Sequence, residues 1–138
     1  ERLFDAYVTI LGAVTEVCTA LSGAPIRIVL HGYDYPIPDG RGFGGGWGPL
    51  PGPWLSPGLV QKGYNALPQG KPILVELIDR FNAMLRRAAQ SPGMGHVKYV
   101  DLRGELPSGS SYKDWWANEL HPSRKGFQRV ATRIAAAL

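Results

Sequence analysis

Apolar side chains recur at helical spacing from the start of the chain. Leu3, Phe4, Tyr7, Leu11, Val14, Cys18 and Leu21 fall on one face, with Asp5, Thr15, Glu16 and Thr19 mostly between them. This period predicts an amphipathic helix over 3–21. Ser22-Gly23 ends it, and Pro25 forbids its continuation. The run Ile26-Arg27-Ile28-Val29-Leu30 is short and rich in β-branched residues, which predicts a strand. A second helical pattern runs from Pro72 to Ala89, with Leu74, Leu77, Ile78, Phe81, Leu85 and Ala88 on one face. Pro72 suits a first helical turn, and Ser91-Pro92-Gly93 closes the segment. Residues 97–102 read as a second strand. A last helix is expected over 123–137, with Ser123 as N-cap and Phe127, Val130, Ala131, Ile134 and Leu138 as its buried stripe.

Helix, strand, loop, helix, strand, loop, helix is the order of a layered α/β protein with parallel strands. Two strands do not make a covered parallel sheet, and each would be an edge with unpaired backbone groups. The pattern is therefore that of part of a three-layer domain, read here as a single partial domain over 1–138. Between the first strand and second helix lies a proline- and glycine-rich loop at about 36–58, long enough to suggest function. Its aromatics Phe43, Trp47 and Trp54 either pin the loop to the body or wall a substrate pocket. The glycines at 42–46 have no strand directly before them and no helix directly after, so a phosphate-cradling loop is excluded.

Charge changes this picture little. The 138 residues carry a net charge of +4. Arg86, Arg87, Arg124, Lys125, Arg129 and Arg133 fall largely on outer helix faces, without a nucleic-acid motif, so no nucleic-acid partner is expected. Cys18 is the single cysteine; it rules out an intrachain disulfide, reads as a small core residue and leaves the compartment open. No uninterrupted apolar run reaches about 18 residues, so no membrane span is expected. Asp5 and Glu16 interrupt the N-terminal stretch and argue against a signal peptide. His31, His96 and His121 lack paired ligand spacing, so neither metal nor organic cofactor is implied. The chain opens on Glu1, already within a helical pattern, which suggests that a preceding segment belongs with it.

The chemistry concentrates in Trp115-Trp116-Ala117-Asn118-Glu119-Leu120-His121-Pro122-Ser123-Arg124-Lys125-Gly126-Phe127. A His-Pro pair just before the C-terminal helix, followed by Gly-Phe, resembles the last block of the SGNH/GDSL serine hydrolases, usually Asp-x-x-His-Pro. His31-Gly32-Tyr33-Asp34 after a strand is similar to a strand exit in a subset of that family. The resemblance implies the C-terminal portion of a flavodoxin-like three-layer α/β/α fold, with its active site at the carboxyl ends of parallel strands. It also implies acyl-ester hydrolysis, of a lipid or an acetylated sugar, by a serine nucleophile and a histidine base.

By that resemblance His121 is the general base. Position 118 holds Asn where the family has Asp; an amide oxygen still orients an imidazole, but it stabilises the imidazolium less than a carboxylate does. Glu119 and Asp114 are alternative acids, and a Ser-His dyad is a further arrangement. His31, Asp34 and Trp54 are candidate substrate-binding residues, although a plain turn at 32–34 would look the same. The family's serine and oxyanion blocks have no match here, since none of Ser22, Ser56, Ser91, Ser108, Ser110, Ser111 and Ser123 has a Gly-Asp-Ser-like context. Two functions follow: a histidine-bearing part of a serine esterase, or a non-catalytic binding or assembly module. In either, a missing N-terminal half, a partner chain or a homo-oligomer completes the unit.

Overall fold

The computed structural model describes residues 1–43 and 52–138, so Trp47 lies outside the described residues. The elements are α1 (Arg2–Ser22), β1 (Ile28–His31), α2 (Leu55–Gln61), α3 (Leu67–Ala89), β2 (Val97–Val100), α4 (Tyr112–Trp115) and α5 (Arg124–Ala135). β1 and β2 pair in parallel from Ile28 opposite Val97 to His31 opposite Val100, and they are the whole of the one sheet among the described residues.

This corrects the expected architecture: the described chain is helix-rich and is not a flavodoxin-like three-layer α/β/α fold. Each β-branched run yields only four paired residues, so the sheet is too narrow to support a helical layer on both faces. α1 and α3 pack together, and α3 lies on both strands. α5, by contrast, packs chiefly on α4. Its expected buried stripe is also corrected. Phe127 is 54% exposed and Leu138 63%, while Gly126 is the buried residue of α5.

α3 begins more than a turn earlier than the sequence pattern predicts. Pro68 takes the first-turn position, and Pro72 lies inside the helix. The side chain of Gln69 closes the start by accepting a hydrogen bond from the Ala66 amide (3.2 Å). α2 and α4 are short helices that lie within stretches read as loop.

The core has two centres. Leu11, Ala88, Ala89, Met94 and Val97 form the first, with Phe4, Tyr7, Val8, Ile28, Leu30 and Tyr99 packed around them. α1 is the one described helix long and apolar enough to cross a membrane by length and composition; Leu11 is its one buried residue, in the cluster it shares with α3 and Val97. Ile10, Val17 and Leu21 point outward. Ile37, Leu106 and Trp116 form the second centre, beneath the His121 loop, with Tyr33, Tyr112, Trp115 and Val130 around them.

Two buried polar side chains fix the exit of β1. The Asn82 amide donates to the carbonyls of Tyr33 (3.0 Å) and Ile78 (2.8 Å). Its oxygen accepts from the Tyr33 amide (3.3 Å) and the Tyr99 hydroxyl (2.6 Å), so all four of its hydrogen-bonding positions are used. The chain passes so close to this amide that a Cβ on Gly32 would lie 1.8 Å from Asn82 Oδ1. Asp34, two residues on, accepts from the amides of Tyr35 and Gly104 (both 2.7 Å) and Leu106 (2.5 Å). It thereby holds the segment after β2 beside the segment after β1.

Candidate active site

The His121 loop is a tight reversal. Trp116 bridges to Pro122, the Ala117 amide donates to the His121 carbonyl (2.9 Å), and the Ser123 amide donates to the Trp115 carbonyl (2.8 Å). Ser123 then caps α5, its hydroxyl accepting from the Gly126 amide (3.2 Å) and donating to the Asp114 carbonyl (2.6 Å). Glycine is needed at 126 because a Cβ there would meet the Trp115 carbonyl oxygen at 2.3 Å. That close approach seats the first turn of α5 directly against the loop.

Within the reversal, Asn118 is 1% exposed and organises its neighbours. Its Oδ1 accepts from the backbone amides of Leu120 (2.9 Å) and His121 (2.8 Å) and lies 3.1 Å from His121 Nδ1. Two backbone donors fix which end of the amide is oxygen. The His121 Nδ1 therefore carries the proton it donates, and in the neutral ring Nε2 keeps a free lone pair. This is the tautomer a general base requires. The Asn118 Nδ2 is buried with no partner among the described residues.

Glu119 is fully buried and faces away from this role. Its carboxylate accepts from the amides of Leu55 (2.5 Å), Ser56 (3.1 Å), Gly40 (3.2 Å) and Trp54. Three of these are donors at the start of α2, where backbone N–H groups lack helical partners. The Glu119 amide donates in turn to the Arg41 carbonyl (3.1 Å). Arg41 pairs with Asp39 (2.5 Å) and donates to the Trp116 carbonyl (2.9 Å). Burial opposes ionisation of Asp39, but hydrogen bonds from Arg41 and Tyr112 outweigh it and hold the carboxyl below the usual carboxylate range. Asp114 is exposed, and its contact with the loop is made through its backbone carbonyl.

The proline- and glycine-rich loop is thus tied to the histidine loop, and its Phe43 and Trp54 reach the imidazole. The Phe43 ring lies 5.1 Å from His121 at 33°, and Trp54 lies 5.5 Å away edge-on. Phe43 and Trp54 also contact each other edge to face at 5.7 Å.

On another side of His121 opens a cavity of about 400 Å³, a size typical of small-molecule sites. Leu102, Leu106, Trp116, Leu120, Phe127 and Val130 make it almost wholly apolar. His31, Tyr33 and Asp34 supply its few polar groups. The His31 Nδ1 donates to the Gly32 carbonyl (2.9 Å), which leaves its Nε2 as acceptor. The Tyr33 hydroxyl donates to the Leu120 carbonyl. Burial, then the Asp34 charge, pushes the Tyr33 hydroxyl up to about 12, so it stays a donor. Burial raises the Asp34 carboxyl as well, against the amides of Leu106, Tyr35 and Gly104.

Of the sequence-predicted residues, His31, Asp34 and His121 share this cavity, and Asn118 supports His121 from below. Asp34 has its oxygens committed to backbone amides. Trp54 flanks His121 without lining the cavity. Comparisons with protein-family models, curated proteins and solved structures each found no match. The site is therefore read from its own chemistry.

Among the described residues, no hydroxyl or thiol hydrogen-bonds the His121 ring, and no group of three His, Cys, Asp or Glu side chains is placed to hold a metal ion. Sequence reasoning missed the roles of Glu119, Arg41, Tyr33 and Asn82. The one signal for Glu119 was an acidic residue set in the mostly apolar run Trp115–Leu120.

Proposed function

We propose that this chain carries the histidine part of a serine-hydrolase-type site that cleaves acyl esters. The carrying observation is the Asn118–His121 pair, which holds the imidazole in the base-competent tautomer at the rim of an apolar cavity. In this reading His121 Nε2 accepts the proton of an attacking serine hydroxyl and returns it to the leaving alkoxide. Asn118 orients the ring and keeps its proton on Nδ1. The apolar cavity takes the acyl part of the ester, and the His31 imidazole faces the same space. The serine comes from a segment or chain outside these residues.

The test uses the tagged protein purified from its native cells, with His121 intact or as His121→Ala. Expected is covalent labelling of a serine by a fluorophosphonate, together with p-nitrophenyl butyrate hydrolysis, both lost in His121→Ala. Absence of labelling in both preparations, or turnover that survives the substitution, refutes the reading.

The exposed Ile10, Val17, Leu21 and Phe127 support a second reading, a binding or assembly module without catalysis. Such a module would leave the fluorophosphonate unreacted in either preparation.

A further inference from the structure

We infer that Glu119 is a positioning residue for His121, an inference that rests on the hydrolase reading above. The carboxylate is 0% exposed, and a buried charge needs full hydrogen bonding. It receives that from four backbone amides, at residue 40 and at residues 54–56, which lie 63 to 79 positions away in sequence. Phe43 and Trp54 are carried on the two stretches it gathers. Both rings touch the His121 imidazole, and Glu119 is bonded into the same reversal as His121, two residues before it.

A single buried charge therefore joins the aromatic wall to the base. Asn118 fixes one edge of the imidazole. The Phe43 and Trp54 rings, with centroids 5.1 and 5.5 Å from the imidazole, limit rotation about the Cβ–Cγ bond, which would otherwise swing Nδ1 off Asn118. Holding a base within a fraction of an ångström of productive geometry is a large part of its catalytic worth. No proton moves to or from Glu119 in this role, and it touches no reacting atom.

A neutral amide at 119 keeps the shape but turns one acceptor oxygen into a donor facing backbone donors. Glu119→Gln is therefore expected to speed hydrogen exchange at the Leu55 and Ser56 amides at least tenfold. It is also expected to abolish nuclear Overhauser effects between the Trp54 indole and the His121 ring, with exchange in the Leu11–Ala88 core unchanged. Glu119→Asp keeps the charge but withdraws it by one methylene. It should show both effects in part, and it carries the test if the glutamine variant does not fold. In the native-cell preparation, Glu119→Gln should slow fluorophosphonate labelling at least tenfold.

Unchanged imidazole–indole Overhauser effects in both variants overturn the inference and leave the hydrolase reading intact. An indole that leaves the imidazole while labelling proceeds undiminished overturns it as well. Labelling that ignores His121→Ala instead removes the reading on which it rests.

Discussion

Asn118→Ala tests the centre of the site, because one side-chain oxygen holds both the turn and the imidazole. The substitution strips the acceptor from the partly buried amides of Leu120 and His121, bonded at 2.9 and 2.8 Å, and from His121 Nδ1 at 3.1 Å. A fully buried donor left without a partner costs about 1–3 kcal/mol, and a partly buried one falls toward the lower half of that range. The His121 ring is half-buried and finds water, so the two amides carry most of the loss. Removing the amide also deletes its own buried, unpartnered Nδ2, which offsets part of the cost. The sum is about 2–4 kcal/mol. For a chain of this length that lowers the melting temperature by about 6–16 °C. Differential scanning calorimetry gives the stability, and nitrogen-15 shifts of the imidazole give the tautomer. The expected result is a fall of that size together with a mixture of Nδ1-H and Nε2-H forms. A melting temperature within about 2 °C of the parent, with Nδ1 still the protonated nitrogen, would refute the argument, since neither the turn nor the tautomer would then depend on Asn118.

Gly126→Ala forces its Cβ to within 2.3 Å of the Trp115 carbonyl oxygen, and the loop has to shift. Urea denaturation should show a loss of about 1–3 kcal/mol, whereas Gly12→Ala, in open space within α1, should gain up to about 1 kcal/mol; equal effects would show that the close approach at 126 is absent. Arg103 grips Asp101 through Nε (2.9 Å) and Nη2 (2.5 Å), and this holds the Asp101 carboxyl below its ordinary range. The folded chain then binds fewer protons than the unfolded one as pH falls, so the pair stabilises fully above about pH 4 and loses its effect through the depressed folded value. Arg103→Met should therefore melt below the parent at pH 7 and converge with it as the pH falls through the depressed folded value; a gap that stays constant with pH would show that the charge pair is not its source.

The long helices and both strands were legible because their apolar periods run over enough residues to outweigh local noise. What surrounds them was not. Periodicity alone places Phe127 in a buried stripe, but the helix is drawn in at Gly126 by backbone contact, which leaves Phe127 half-exposed on the wall of the cavity. The expected three layers assumed that every amphipathic helix covers the sheet, and α5 packs on α4 instead. α2 escaped notice because Leu55-Ser56-Pro57-Gly58 is poor helix sequence; its first amides are satisfied by a carboxylate more than sixty residues downstream. In the site, the pairing of residues 118 and 121 was expected from the resemblance to an Asp-x-x-His-Pro block, and the two side chains do meet. The tie between Glu119 and the aromatic loop was not legible, since no local pattern encodes a partner at that distance.

The shared oxygen of Asn118 also limits how this site can diverge. Because the same atom closes the reversal and aligns the imidazole, every substitution but Asp disturbs the base and its scaffold together, whereas Asp keeps the scaffold and strengthens the base. Only Asp places an oxygen at equal reach on an equally short stem, so the accessible mutational neighbourhood at this position is two letters wide. Beyond that exchange, selection for a weaker or stronger base would have to act on what surrounds the ring, through Phe43, Trp54 and the cavity rim, and variation there is the place to look for functional drift.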